Sequence, residues 1–110
     1  MAKSKELLAR RQRLVEGLPP IEEVLRGSFF VRHRRCGKAS CHCRDGPGHR
    51  TAVVGVTFAD GTTAQIAVAP DLEAVARRWV RNYQRLWQGI ERLSAVNREL
   101  LRRRLVEPDR

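Results

Sequence analysis

All three cysteines of the chain and two of its three histidines fall in one stretch, RRCGKASCHCRDGPGHR, residues 34–50. Cys36, Cys41 and Cys43 have the spacing C-x4-C-x-C, and His49 follows after five residues. Zinc takes four soft or borderline donors in a tetrahedron, and three thiolates with one imidazole are a common structural set. The expected metal ligands are therefore Cys36, Cys41, Cys43 and His49. His42 is the rival fourth donor, but it lies between two cysteines and should point away from their side chains, which favours His49. Gly37, Gly46 and Gly48 let the backbone turn, and Pro47 fixes one dihedral. Arg34, Arg35, Lys38 and Arg44 would help to hold the thiols deprotonated and offset the residual negative charge of such a shell. The competing reading is three reduced thiols in a glycine-rich loop.

A catalytic zinc keeps one position open for water and has a carboxylate base close by. Here the nearest carboxylate is the isolated Asp45, and three thiolates would blunt the metal's acidity. The zinc is expected to be structural, and the protein not an enzyme. An odd cysteine count also argues against a closed disulfide framework.

The elements that must hold this loop are those of one small domain of 110 residues, with 42% apolar and 31% charged residues. No apolar run approaches the roughly 20 residues that cross a bilayer. The first residues lack the apolar core of a signal peptide, so a cytoplasmic protein is expected. Three segments are expected within the domain: a helical one at 1–25, the zinc loop and sheet at 26–70, and a long helix at 71–107. Residues 4–16 read as a first helix capped by Ser4, with Leu7, Leu8, Leu14 and Val15 at helical spacing, ended by GLPP. IEEVL reads as a short second helix. SFFVRHRR alternates, with Phe29, Val31 and His33 on one face and Phe30, Arg32 and Arg34 on the other, and reads as a strand. TAVVGVTF and TTAQIAV are two more strands, joined by an Asp-Gly turn. The fold class is α+β: an N-terminal helix, a three-stranded antiparallel sheet with the zinc loop between strands 1 and 2, and a long C-terminal helix.

That last helix should start at Asp71, a good N-cap, and run about 34 residues, or roughly 50 Å, to Pro108, with Gly89 costing about 1 kcal/mol relative to Ala. Leu72, Trp79, Leu86, Leu93 and Leu100 form one seven-residue series, and Ala76, Tyr83, Ile90 and Asn97 another. These are heptad d and a positions, and one Asn at a is a device that selects an in-register pair of helices. Val80, Trp87 and Leu101 at e make the stripe wider than a dimer seam. Two readings stand: the far half packs on the first helix, or it pairs with a second copy of the chain.

The net charge is +10, with 22 Lys plus Arg against 12 Asp plus Glu. The bases flank residues 51–70, which contain none. Such an excess suits a polyanionic partner. Arg34, Arg35, Lys38, Arg44 and Arg50 would form one basic knuckle on the zinc loop, with phosphate contacts from Arg77, Arg78, Arg81 and Arg85 on the helix. A solvated surface is the plainer reading of those helical arginines.

The chain resembles an uncharacterised family of small bacterial and archaeal proteins carrying a domain of unknown function. The likeness rests on Arg26-Gly27-Ser28, Arg35-Cys36-Gly37-Lys38, Cys41-His42-Cys43, Gly48-His49 and Arg78-Trp79-Val80-Arg81-Asn82-Tyr83, over about residues 26–101. The resemblance implies the Cys3His site with His49 as fourth ligand, and a setting near mobile elements. Family members place aromatics after the Gly-His pair, where this chain has Thr51-Ala52-Val53-Val54. The expected function is a zinc-stabilised nucleic-acid-binding protein, for DNA in preference to RNA, with no membrane and no small-molecule substrate. The alternative is a dimeric protein-interaction module with a purely structural zinc.

Overall fold

A computed structural model of the chain describes residues 2–34 and 48–109. Helix α1 (Ala2–Glu16) comes first, followed by strands β1 (Ser28–Arg34), β2 (His49–Thr57) and β3 (Thr63–Val68), and by helix α2 (Glu73–Arg102). The strands form one antiparallel sheet in the order β1-β2-β3. This is the expected α+β arrangement.

The register pairs Phe29 with Val54, Val31 with Ala52 and Arg34 with His49 across β1 and β2, and Val54 with Ile66 across β2 and β3. Directly paired residues share a face. One face therefore carries Phe29, Val54 and Ile66, and the other Phe30, Val53 and Ala67. Helix α2 rests on the first of these: Val54, Ala76 and Val80 form the buried cluster, with Leu25, Phe29, Val56 and Val68 packed around it. The alternation in SFFVRHR thus points Phe29 inward and leaves Phe30 36% exposed.

The hairpin between β2 and β3 is one residue longer than a two-residue turn. Phe58 donates its N–H to the Thr62 carbonyl at 2.8 Å, and Gly61 donates to the Phe58 carbonyl at 3.0 Å. Gly61 has φ 91°, which only glycine adopts cheaply. Asp60 fixes the loop by accepting from the Thr62 N–H at 3.0 Å and the Thr62 hydroxyl at 2.7 Å. Those bonds to the charged form hold its carboxyl below the ordinary value.

Beyond the sheet, α2 overhangs and α1 lies against it. The two run antiparallel: Leu18 packs at Gly89, and Arg11 Nη1 donates to Asn97 Oδ1 at 3.1 Å. Gly89, Val96 and Leu100 are buried on α2, and Leu100 is only 1% exposed. So the far half of α2 does pack on the first helix. A Cβ at Gly89 would run into Leu18 Cδ2, so the glycine that weakens the helix is the groove that seats α1's exit.

Several expected boundaries move. Helix α1 starts at Ala2, with Ser4 inside it rather than capping it. IEEVL is a single 3-10 turn, Ile21–Glu23, and Val24 is extended. The backbone there is drawn onto α2: Leu25 donates its N–H to the Trp79 carbonyl at 3.0 Å, and buried Asn82 donates from Nδ2 to the Glu23 carbonyl at 3.0 Å. Asp71 does not cap α2. It sits inside a 3-10 turn, Pro70–Leu72, and Leu72 takes the N-cap position without a side-chain bond. The helix also stops at Arg102, short of Pro108. Arg104 adopts φ 56°, Arg104 donates its N–H to the Leu101 carbonyl at 3.1 Å, and Leu105 donates to the Leu100 carbonyl at 2.9 Å. This is a Schellman stop with arginine at the usual glycine position, so no glycine announced it.

Candidate functional site

Strands β1 and β2 position the candidate site. Their pairing runs to the Arg34–His49 pair, which pins both ends of the intervening segment. Gly48, with φ 97°, makes the turn into β2. Strand β2 therefore starts at His49, two residues earlier than expected, and draws His49 and Arg50 into the ladder.

The period of the strands sorts the basic residues. Arg32, Arg34 and His49 share the outer face with Phe30, whereas His33 and Arg50 share the face that α2 covers. His33 and His49 thus project to opposite sides of the sheet. On the outer face Arg32 Nη1 donates to Gln65 Oε1 at 2.8 Å. Arg32 pairs in register with Thr51, and Gln65 with Gly55, so this bridge crosses β2 over Val53. Val53 is 1% exposed although no described helix lies on that face. The bridge was legible in part, since strand alternation already put Arg32 beside Phe30; Gln65 carried no signal of its own.

Arg50 has a different partner. Its guanidinium grips Glu73 with both terminal nitrogens, at 2.5 and 3.0 Å. This two-point bond ties the start of β2 to the start of α2. The Arg50 guanidinium, with help from Arg77, holds the Glu73 carboxyl below its ordinary value, and the bond to Glu73 raises Arg50 in turn. Two of the helical arginines are likewise engaged. Arg77 stacks 4.7 Å from the centroid of the Phe29 ring, and Arg78 lies 3.5 Å from Glu23. Arg34, Arg81 and Arg85 are exposed and make no ion pair among the described residues.

Cys36, Cys41, Cys43, His42, Arg35, Lys38 and Arg44 lie outside the described residues. Of the four expected ligands, His49 alone is among the described residues. The Arg34–His49 pairing sets His49 at the mouth of the segment that holds the three cysteines, on the exposed outer face. Three thiolates and that imidazole are the right number and kind of donors for structural zinc. Among the described residues no cluster of three His, Cys, Asp or Glu side chains could hold a metal.

A small single-sheet protein, with a long helix on one face and a basic hairpin end on the other, is the class that fold and site define. The chain belongs to the family described as Domain of unknown function (DUF6788), which matches residues 4–78. That match takes in α1, which the resemblance by motif left out, and ends at Arg78, where the Arg-Trp-Val-x-Asn-Tyr segment begins. No curated protein and no solved structure matches the chain. Among the described residues no helix is long and apolar enough to cross a membrane.

Proposed function

We infer that this protein is a zinc-stabilised nucleic-acid-binding module that engages DNA in preference to RNA, and that it carries no catalytic activity. One observation supports this reading above the others. The three strands contain three arginines and two histidines and not one carboxylate. Arg34 and His49 close the outer face at the end that leads directly into Arg35, Lys38 and Arg44. A carboxylate-free surface on a chain of net charge +10 suits a phosphate backbone, and exposed Phe30 offers an aromatic face beside Arg32. Zinc, held by Cys36, Cys41, Cys43 and His49, would supply rigidity: it would fix the loop's bases as one platform on the sheet. Arg50 contributes differently, by locking β2 to α2 through Glu73. An accessory role beside a mobile element is what the family resemblance implies, and a cytoplasmic setting would keep the cysteines reduced and able to hold zinc.

The test is affinity for duplex DNA as a function of salt. Engagement of about five phosphates gives a log–log slope of roughly −4 to −5. Reversing the charge at Arg34, Arg35 and Arg44 should remove binding while leaving the circular dichroism spectrum intact. Unchanged affinity in that variant would show that the hairpin end is not the contact surface. The alternative, an interaction module that pairs through its long helix, has the exposed apolar stripe of α2 in its favour.

A further inference from the structure

We propose that two copies of this chain form a two-fold dimer in which their α2 helices lie antiparallel, crossing near residue 88. The proposal deepens the pairing reading above and does not depend on nucleic-acid binding. Its basis is a face of α2 that the described residues leave open. Leu72, Trp79, Tyr83, Ile90 and Leu101 recur at spacings of four, seven or eleven residues, which is one side of a helix. All ten charged residues between Glu73 and Arg102 fall at other positions. Leu72 is 51% exposed, Ile90 41% and Leu101 70%, with Trp87 beside them at 54%. A solvated helix face carries charge, and this one carries none over its whole length.

Shape and area point the same way. The radius of gyration is 21.8 Å and the longest extent 75 Å. A compact domain of this length has a radius near 13 Å. The exposed apolar side chains along α2 leave on the order of 600 Å² open, at the top of what a monomer usually shows. That is most of the roughly 800 Å² per partner that a standard interface buries.

The occupant is a second copy because the surface is self-complementary in one orientation. At the start of α2 a groove of about 240 Å³ runs between the helix and β3, lined by Ile66, Leu72, Val75 and Trp79. At the other end stands Leu101, the most exposed large apolar residue of the helix. Antiparallel helices crossing near residue 88 set each Leu101 at the partner's groove and bring the two Trp87 rings together at the axis. Charge favours the same orientation. Residues 73–87 carry four arginines against one glutamate, and residues 88–102 three against two. Antiparallel pairing sets each strongly basic half against the weakly basic one. The parallel alternative loses its usual register device, because Asn97 is already bonded to Arg11 of its own chain.

The experiment is light scattering and sedimentation of the full zinc-loaded chain without nucleic acid. Four proteins are compared: wild type, Leu72→Lys, Leu101→Glu and the double variant. Wild type should have the mass of two chains. Each single variant should weaken pairing by about tenfold or more, as expected when one buried leucine is lost. The double variant should regain the dimer, since each Lys then meets the partner's Glu. Both single sites are at least half exposed, and circular dichroism confirms that the variants fold. A monomeric or higher-order wild type overturns the proposal, and so does a double variant no better paired than either single one.

Discussion

Replacing Gly89 by Ala separates two forces that act in opposite directions. On an exposed helix this change stabilises by about 1 kcal/mol, because glycine surrenders more backbone freedom on folding than alanine does. Here Gly89 is buried on α2 and the new methyl meets Leu18 Cδ2, so the end of the Leu18 side chain must turn aside. Turning the end of the Leu18 side chain away from its preferred rotamer costs about 0.5–1.5 kcal/mol. The two effects nearly cancel, so Gly89→Ala should change stability by no more than about 0.5 kcal/mol. In a Leu18→Ala background the obstruction is gone, and the same change should stabilise by about 1 kcal/mol. The coupling between the two positions is then about 0.5–1.5 kcal/mol, above the few tenths expected for independent sites. Urea denaturation followed by circular dichroism, at one fixed protein concentration, measures all four corners of the cycle. If Gly89→Ala stabilises equally in both backgrounds, Leu18 does not sit over Gly89 and the docking of α1 described above is wrong.

Arg104→Gly should stabilise by about 1 kcal/mol, because Arg104 occupies the left-handed region that costs every residue but glycine; a thermal melt reads the gain. Asn82→Leu should cost about 1–3 kcal/mol, since it leaves the Glu23 carbonyl without its donor, and hydrogen exchange should show the Leu25 amide opening with it. Asp60, Glu73 and Glu99 all titrate below ordinary carboxylates, through bonds from Thr62, Arg50 and Arg102 respectively. A carboxylate depressed by folding adds stability that is complete above its unfolded value and is lost as pH falls through the folded one. Unfolding free energy should therefore decline below about pH 4, and Glu73→Gln should flatten that decline.

Much of the fold could be read from residue order. The period of two in SFFVRHR assigned Phe29 and Phe30 to opposite faces correctly, because only a strand with one covered face alternates that way. The period of α2 marks its apolar stripe, and of the two partners expected for the far half the structure shows α1, which packs there with Val96 and Leu100 buried while Ile90 and Leu101 are exposed. What failed to show was tertiary. IEEVL has helical composition, yet two hydrogen bonds to α2 extend its second half. The end of α2 carries no breaker, because arginine fills the position where glycine is usual. For the site, alternation put Arg32 and Arg34 on one face, but nothing in the sequence tied Arg50 to Glu73 across 23 residues. The cysteines that define the metal hypothesis lie outside the described residues, so their chemistry rests on residue type and on where His49 stands.

Native mass spectrometry of the purified, reduced chain probes the zinc hypothesis most directly. The expected spectrum shows one zinc ion per chain, lost together when Cys36, Cys41 or Cys43 becomes serine or His49 becomes alanine, and retained when His42 does. A spectrum of metal-free chain after purification in zinc-containing buffer would contradict the account.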